Sequence, residues 1–360
     1  MTRIVNVTRA LRPSKIRYAI KIFMLLGTYW YTNDGKYVKT LESRLKKIWG
    51  VKNVVVMSNG TLPLQFLMGQ LPKASVVATT PFTFISTASS IKTSGHEPFF
   101  VDLSKNEVNV NYEELEEAIR NQQINAILLT NVYGQMPNMK RLNRLKSDYK
   151  VPIYLDASHS FGVMYEGKSA LSYGDAATIS FHATKIFSTV EGGALITNDD
   201  ALADEARKWR NFGFKDGEIQ GLGVNAKMSE LHALFGLELL PKIAKEVARR
   251  RSLMESYAKI FLNTRISLLE SPNGSYAPVV FEAESDLISF QTRLAERGIH
   301  ARRYFFPSLD TLEFLNNSKR VVCVNSRDLA ERVLCLPVGR DVTKSKLRII
   351  NEIAQRSRHR

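Results

Sequence analysis

Lys185 stands in the stretch SFHATKIFSTVEGG, residues 180–193, among small and apolar residues where a solvated surface would carry more charge. An amine surrounded in this way loses part of its preference for the charged form, and a neutral amine is a nucleophile toward aldehydes. The bland reading of the same lysine is a buried partner for a carboxylate. Asp156, in YLDASH, ends an otherwise apolar run, and its burial demands a cation or hydrogen-bond donors. His159, three residues on, either orients a ring or caps the following turn. In SNGT, residues 58–61, Gly60 and Thr61 lead into a helical pattern that tolerates Pro63 in its first turn. A helix that opens with glycine and hydroxyl groups offers N–H donors and a positive dipole end to an anion, or it is a plain N-cap. FTFIST adds Phe82 and Phe84, core aromatics on their own or a platform for a planar ligand.

The elements that must position these groups alternate in kind. VKNVVVMS, ASVVATTPF, PFFVDL, INAILLTNV, VPIYLDAS, DAATISF and GALITN are short apolar runs, and amphipathic stretches such as YEELEEAIRNQQ and MKRLNRLKSDYK separate several of them. This alternation predicts βαβ units, hence an α/β fold with a mostly parallel sheet covered on both faces. Ligands of such sheets bind beyond the carboxyl ends of the strands, and that is where SNGT, FTFIST, DASH and the lysine loop fall. From residue 227 a long helical pattern, bending at Pro241, links two domains. After it, SYAPVVFEAE, DLISFQTRLAERG, ERVLCLPVG and TKSKLRIINEIAQR read as a smaller α+β domain. The expected division is residues 1–240 and residues 241–360.

Composition excludes several classes. With 44% hydrophobic and 24% charged residues in 360, the chain is that of an ordinary globular protein. No uncharged apolar run approaches the roughly 20 residues of a membrane helix, since IFMLLGTYWYTN is bounded by Lys21 and Asp34. Charged residues also interrupt every apolar stretch near the N-terminus, so a cytoplasmic location is expected. Two cysteines, Cys323 and Cys335, are too few for a disulfide framework, and six dispersed histidines lack metal-ligand spacing. The G-x-G-x-x-G and G-x-x-x-x-G-K-[ST] signatures are missing. A net charge of +15 would suit a basic DNA-binding regulator, but no recognition module is evident. The ARRR run at residues 248–251 and the terminal RSRHR read instead as solvated surface. A basic field of this size also draws in small polyanions such as nucleotide diphosphates.

An anion-binding helix start, an aromatic, a strand-end aspartate and a lysine on one sheet edge together suit pyridoxal phosphate, with Asp156 keeping the ring nitrogen protonated. The same stretches resemble the DegT/DnrJ/EryC1/StrS family of sugar aminotransferases over nearly the whole chain. SNGT looks like that family's phosphate turn, TPFTFIST like its aromatic platform, YLDASHSFGVMYEGKSALSYGD like its Asp-Ala-(Ala/Ser)-His block, and SFHATKIFSTVEGGALITND like its lysine block. GLGVNAKMSELHALFGLELL is similar to the segment that reaches across a dimer interface. The resemblance implies fold type I of the pyridoxal phosphate-dependent transferases, as in aspartate aminotransferase. It implies Lys185 as the cofactor-linked lysine, with Gly60, Thr61 and Ser180 on the phosphate and Phe84 stacked on the ring. Asp156 would meet the pyridinium nitrogen and His159 would lie near the 3-hydroxyl. Asn225 would come to the phosphate from the neighbouring subunit, so that a homodimer shares its active sites. Two departures touch the rim: Val224 where the family more often has an aromatic, and Pro63 in place of a small residue. A family branch with histidine at the lysine position performs dehydration, so Lys185 favours transamination.

TYWYTNDGKYVKTLE, FHATK, TVEGGA, GVNAKMSE and ARRYFFPSL look most like the subgroup that aminates dTDP-4-keto-6-deoxyhexoses. That resemblance implies L-glutamate as donor and dTDP-4-keto-6-deoxyglucose as acceptor, giving a dTDP-4-amino-4,6-dideoxy sugar for surface polysaccharide or antibiotic synthesis. Arg302, Arg303 and Tyr304 are then candidates for diphosphate or sugar contact, against the alternative of a surface arginine pair. A 3-keto acceptor, or one linked to UDP or GDP, stays open.

Overall fold

The computed structural model describes residues 4–315 and 322–355. Its centre is a seven-stranded sheet of β1 (Asn53–Met57), β2 (Val76–Thr79), β3 (Glu97–Phe100), β4 (Ala126–Thr130), β5 (Ile153–Asp156), β6 (Ala176–Ser180) and β7 (Gly193–Thr197). The spatial order is β1-β7-β6-β5-β4-β2-β3. Pairings from β3 across to β6 are parallel, whereas β7 runs antiparallel to both β1 and β6. The strands are apolar on both faces because both faces are covered. Within β1, Val54 and Val56 join one core with helices α2 (Lys36–Trp49) and α8 (Glu230–Phe261). Val55 and Met57 point the other way, into a core with α3 (Thr61–Met68) and α7 (Asp200–Trp209).

Helix α8 runs unbroken through Pro241 for 32 residues, where the sequence pattern predicts a bend. Its first half packs Ala233, Leu237, Leu239, Ile243 and Val247 into the sheet core. Its second half packs Leu253, Tyr257, Ile260 and Phe261 into a separate C-terminal core. That core is completed by α9 (Glu284–Glu296), α11 (Lys344–Gln355) and an antiparallel sheet of β8 (Ser267–Leu268), β9 (Ala277–Val280) and β10 (Val333–Leu336). The N-terminal Val5–Asn6 pairs in parallel with Ile299–His300, tying the start of the chain to its last third.

The ARRR run is only partly a solvated surface, with Ala248 and Arg251 exposed. Arg250 is 1% exposed and Arg249 partly buried. Both guanidinium groups, with that of Arg340, converge on Glu246, itself buried in α8. Two turns of an amphipathic helix with an inward carboxylate had looked like outward charge because one sequence cannot show which face is covered. The RSRHR terminus is residues 356–360, outside the described residues.

Candidate active site

The carboxyl ends of β2, β4, β5 and β6, with the amino end of the antiparallel β7, meet at one edge of the sheet. A cavity of about 340 Å3 opens there. Gly60, Thr61, Phe84, Asp156, His159, Ser180, Lys185, Arg302 and Tyr304 all line it. Residues from four loops of the sheet and from the C-terminal unit are thereby brought to one ligand-sized space.

Asp156 sits at the last position of β5, 3% exposed. Its donors are neutral. Thr87 Oγ1 donates to one oxygen at 3.0 Å, and the Ser158 N–H and hydroxyl donate to the other at 3.2 and 2.5 Å. Thr87 belongs to a buried hydroxyl cluster with Thr83 and Thr130, whose Oγ1 atoms lie 2.7 Å apart. Asp156 forms no ion pair among the described residues, so a buried carboxylate faces the cavity oriented but without a cation in contact. Sequence reasoning missed Thr87, Thr130 and Ser158; the only signal was hydroxyl residues placed at strand ends.

Lys185 lies in the connector between β6 and β7, its N–H donating to His182 O at 2.9 Å. The side-chain amine donates to no acceptor among the described residues. Burial lowers its pKa to about 8, and the charge of Asp156 opposes part of that fall. His159 is buried, with Tyr133 N–H donating to its Nδ1 at 3.2 Å, which leaves Nε2 as the ring's donor. Burial and then the nearby Lys185 charge push its pKa well below the ordinary value. It is neither a turn cap nor exposed: its ring stacks 5.8 Å from Phe305 and meets Tyr276 edge-on at 4.9 Å.

Asn59 Oδ1 accepts from the N–H groups of Thr61 and Leu62 at 2.9 and 3.0 Å, and residue 63 has no N–H. The amino end of α3 is therefore capped, and an anion beside it is left to the Gly60 N–H and the hydroxyls of Thr61 and Ser180. Gly60 has no room for a side chain, since a Cβ there would lie 2.8 Å from Ser180 Cβ. A Cβ on Gly193 would lie 2.4 Å from Asn59 O, so the glycine that opens β7 lets the phosphate-type turn and the lysine connector touch.

Phe84 and Phe82 separate cleanly. Phe84 precedes helix α4 (Ile85–Thr93) and stays 54% exposed at the cavity wall, whereas Phe82 is fully buried against Tyr133 and Phe305. Arg302 and Arg303 also separate, because successive residues of an extended chain point to opposite sides. Arg303 leaves the candidate set: it pairs with Glu284 at 2.7 Å, donates to Glu331 O at 2.9 Å, and does not line the cavity. Asn225 is exposed and lies outside the cavity of its own chain. Glu191, His182 and Tyr276 line the cavity without having been singled out. Tyr276 comes from beyond α8, too far along the chain for any local pattern to reveal it.

The site fits a ligand that brings a positive aromatic nitrogen to Asp156, an aldehyde to Lys185 and a phosphate to Gly60, Thr61 and Ser180. Fold and site together define a fold type I enzyme of the pyridoxal phosphate-dependent class. Residues 19–354 match the DegT/DnrJ/EryC1/StrS aminotransferase family. The chain is 33% identical over 330 residues to a dTDP-4-amino-4,6-dideoxy-D-glucose transaminase of Shigella dysenteriae, covering 89% of this chain and 90% of that one. A transaminase of the same name from Escherichia coli is 26% identical over 353 residues, with 94% and 95% covered. Among solved structures, DesI crystallised with its TDP-sugar product superposes with a TM-score of 0.93 at 27% identity, over 100% of this chain and 94% of that one. This chain belongs to the DegT/DnrJ/EryC1/StrS aminotransferase family.

Proposed function

We propose that the chain is a pyridoxal phosphate-dependent aminotransferase that moves an amino group from L-glutamate to dTDP-4-keto-6-deoxyglucose, working as a homodimer with shared sites. The observation that carries the cofactor reading is the unpartnered Lys185 amine in one cavity with the buried, cation-free Asp156. The nucleotide-sugar reading rests on the relatives' names, two of which specify a 4-amino-4,6-dideoxy-D-glucose linked to dTDP.

Bound cofactor supplies an electron sink for the electrons released at the amino-bearing carbon. Asp156, held by Thr87 and Ser158, keeps the ring nitrogen protonated and so keeps that sink effective. Phe84, at the cavity wall, would cover one face of the ring and exclude water from it. Gly60, Thr61 and Ser180 hold the phosphate, with Asn225 reaching in from the second protomer. With the cofactor bound, the Lys185 amine would take the proton from the donor's α-carbon; an amine near pKa 8 is available for this at neutral pH. His159, its Nδ1 taken by the Tyr133 N–H, would have Nε2–H to offer an oxygen substituent of the ring.

The purified protein is expected to absorb visible light and, after borohydride reduction, to carry the cofactor on the peptide containing Lys185. With glutamate and dTDP-4-keto-6-deoxyglucose it should form an amino sugar detectable by mass spectrometry. A cofactor-loaded protein labelled at Lys185 that aminates only UDP-linked, GDP-linked or 3-keto sugars would correct the substrate. A cofactor-replete preparation with Lys185 unlabelled would end the whole reading.

A further inference from the structure

Among the described residues that line the cavity, Arg302 is the one arginine. Of the other basic side chains there, Lys185 is reserved for the cofactor, and His182 is engaged by Thr184 Oγ1 at 2.8 Å and lies 3.5 Å from Glu191. The Arg302 guanidinium has no hydrogen bond or ion pair to a described residue. It is nonetheless held. The Arg302 backbone exchanges hydrogen bonds with Cys335 in β10, an edge strand of the C-terminal sheet, N–H to O at 3.1 Å and the reverse at 2.8 Å. The guanidinium lies 5.0 Å from the Tyr304 ring, and stacking of that kind leaves the in-plane N–H fork free. Arg303, one residue on, shows the contrast, with its Nη2 engaged by Glu284 and two backbone carbonyls.

We infer that Arg302 is the anion-recognition residue of the cavity, taking a pair of oxyanions in a bidentate fork from the substrate that occupies it. This rests on the transamination reading, in which two anionic substrates use one site in turn: a dicarboxylate donor and a diphosphate-bearing acceptor. Both present the paired, negative oxygens that a planar fork matches. Glu191, the one carboxylate besides Asp156 lining the cavity among the described residues, lies 3.5 Å from His182 Nε2 and forms no ion pair with Arg302. The Arg302 guanidinium serves the substrate, and cofactor retention falls to Gly60, Thr61, Ser180 and Lys185.

The test measures binding by calorimetry on the cofactor-loaded protein, with glutarate as a dicarboxylate that cannot react and thymidine diphosphate as the acceptor's anionic part. Visible absorbance and melting temperature first establish that each variant is folded and loaded. R302Q should weaken at least one of the two ligands by about 10- to 100-fold, the range of a lost charged hydrogen-bond pair. R302K should recover only part of that, because an ammonium lacks the fork. R303Q should bind both as the parent does. Loss confined to glutarate assigns the fork to the donor carboxylate, loss confined to thymidine diphosphate assigns it to the acceptor, and loss of both shows successive use. Unchanged affinity for both ligands in R302Q overturns the inference; should R302Q not fold, parent-like affinities in R302K do the same. A parent protein that fails to load cofactor would instead count against the transamination reading.

Discussion

At the scale of single residues, the chemistry turns on a lysine that its surroundings discharge. Burial draws the Lys185 amine down to about 8, against an ordinary value of 10.5. At pH 7.5 roughly a quarter of it is then neutral, compared with about a thousandth for a solvated lysine. The neutral form attacks the aldehyde, so covalent capture of pyridoxal phosphate by the apoprotein should quicken as pH rises through 7 and level off above about 8. Stopped-flow absorbance on the apoprotein would show it, and a rate still climbing steeply at pH 10 would mean that the amine is not depressed. Asp156 complements this lysine without neutralising it, since its hydrogen-bond donors are the hydroxyls of Thr87 and Ser158 and the Ser158 N–H. A buried charge held by uncharged donors stays available for a cation that arrives with the ligand.

At the scale of elements, α8 carries the load between the two cores, and Glu246 fixes it. Burial alone would raise the Glu246 carboxyl, but hydrogen bonds from Arg249 and Arg250 reverse this and hold it at about 2. Glu246→Ala would leave Arg250 buried beside no carboxylate, at a cost of about 3–5 kcal/mol. Calorimetric melting should show Tm lower by on the order of 10 °C. Because the folded pKa lies below the ordinary 4.5, this stabilisation is complete above that value and disappears as pH falls toward 2. The variant should therefore show a shallower loss of stability than the parent across that acid window. Glu230, at the start of the same helix, accepts the N–H groups of Tyr37 and Val38 at 2.7 and 3.0 Å and so caps α2. Its own N–H donates to Tyr31 O, which binds the loop after α1 (Lys15–Leu26) to the segment that carries Asn225.

At the scale of the whole molecule, one protomer leaves its own site unfinished under the proposed reading. Asn225 faces outward, and nearby Leu222 is 97% exposed, an apolar side chain in a place where a second copy would cover it. Shared sites make a complementation experiment decisive. Lys185→Ala and Asn225→Ala are each expected to be inactive or severely impaired. Mixed after dissociation, they should form heterodimers in which one of the two sites has both native residues, giving back about a quarter of parental activity. Failure to recover activity despite heterodimer formation would place Asn225 outside the shared site.

The sequence by itself determined the sheet and the edge where the site lies. Seven short apolar runs separated by connectors can bury both faces only as a covered sheet, and polar residues that end such runs collect at the strand ends. Lys185 and Asp156 were legible because each breaks the apolar pattern around it, whereas the roles of Gly60 and Phe84 stood out only through the family resemblance, and Phe84 parts from Phe82 only in the fold. Residue spacing did not reveal the hydroxyl cluster behind Asp156, the pairing of Glu246 with three arginines, or the parting of Arg302 from Arg303. Those depend on which face of a helix or strand is covered and by what, and Tyr276 reaches the cavity only because α8 returns the chain to the sheet. Contacts between distant segments are set by packing in three dimensions, where a one-residue change in facing decides whether an arginine meets a carboxylate or an open cavity.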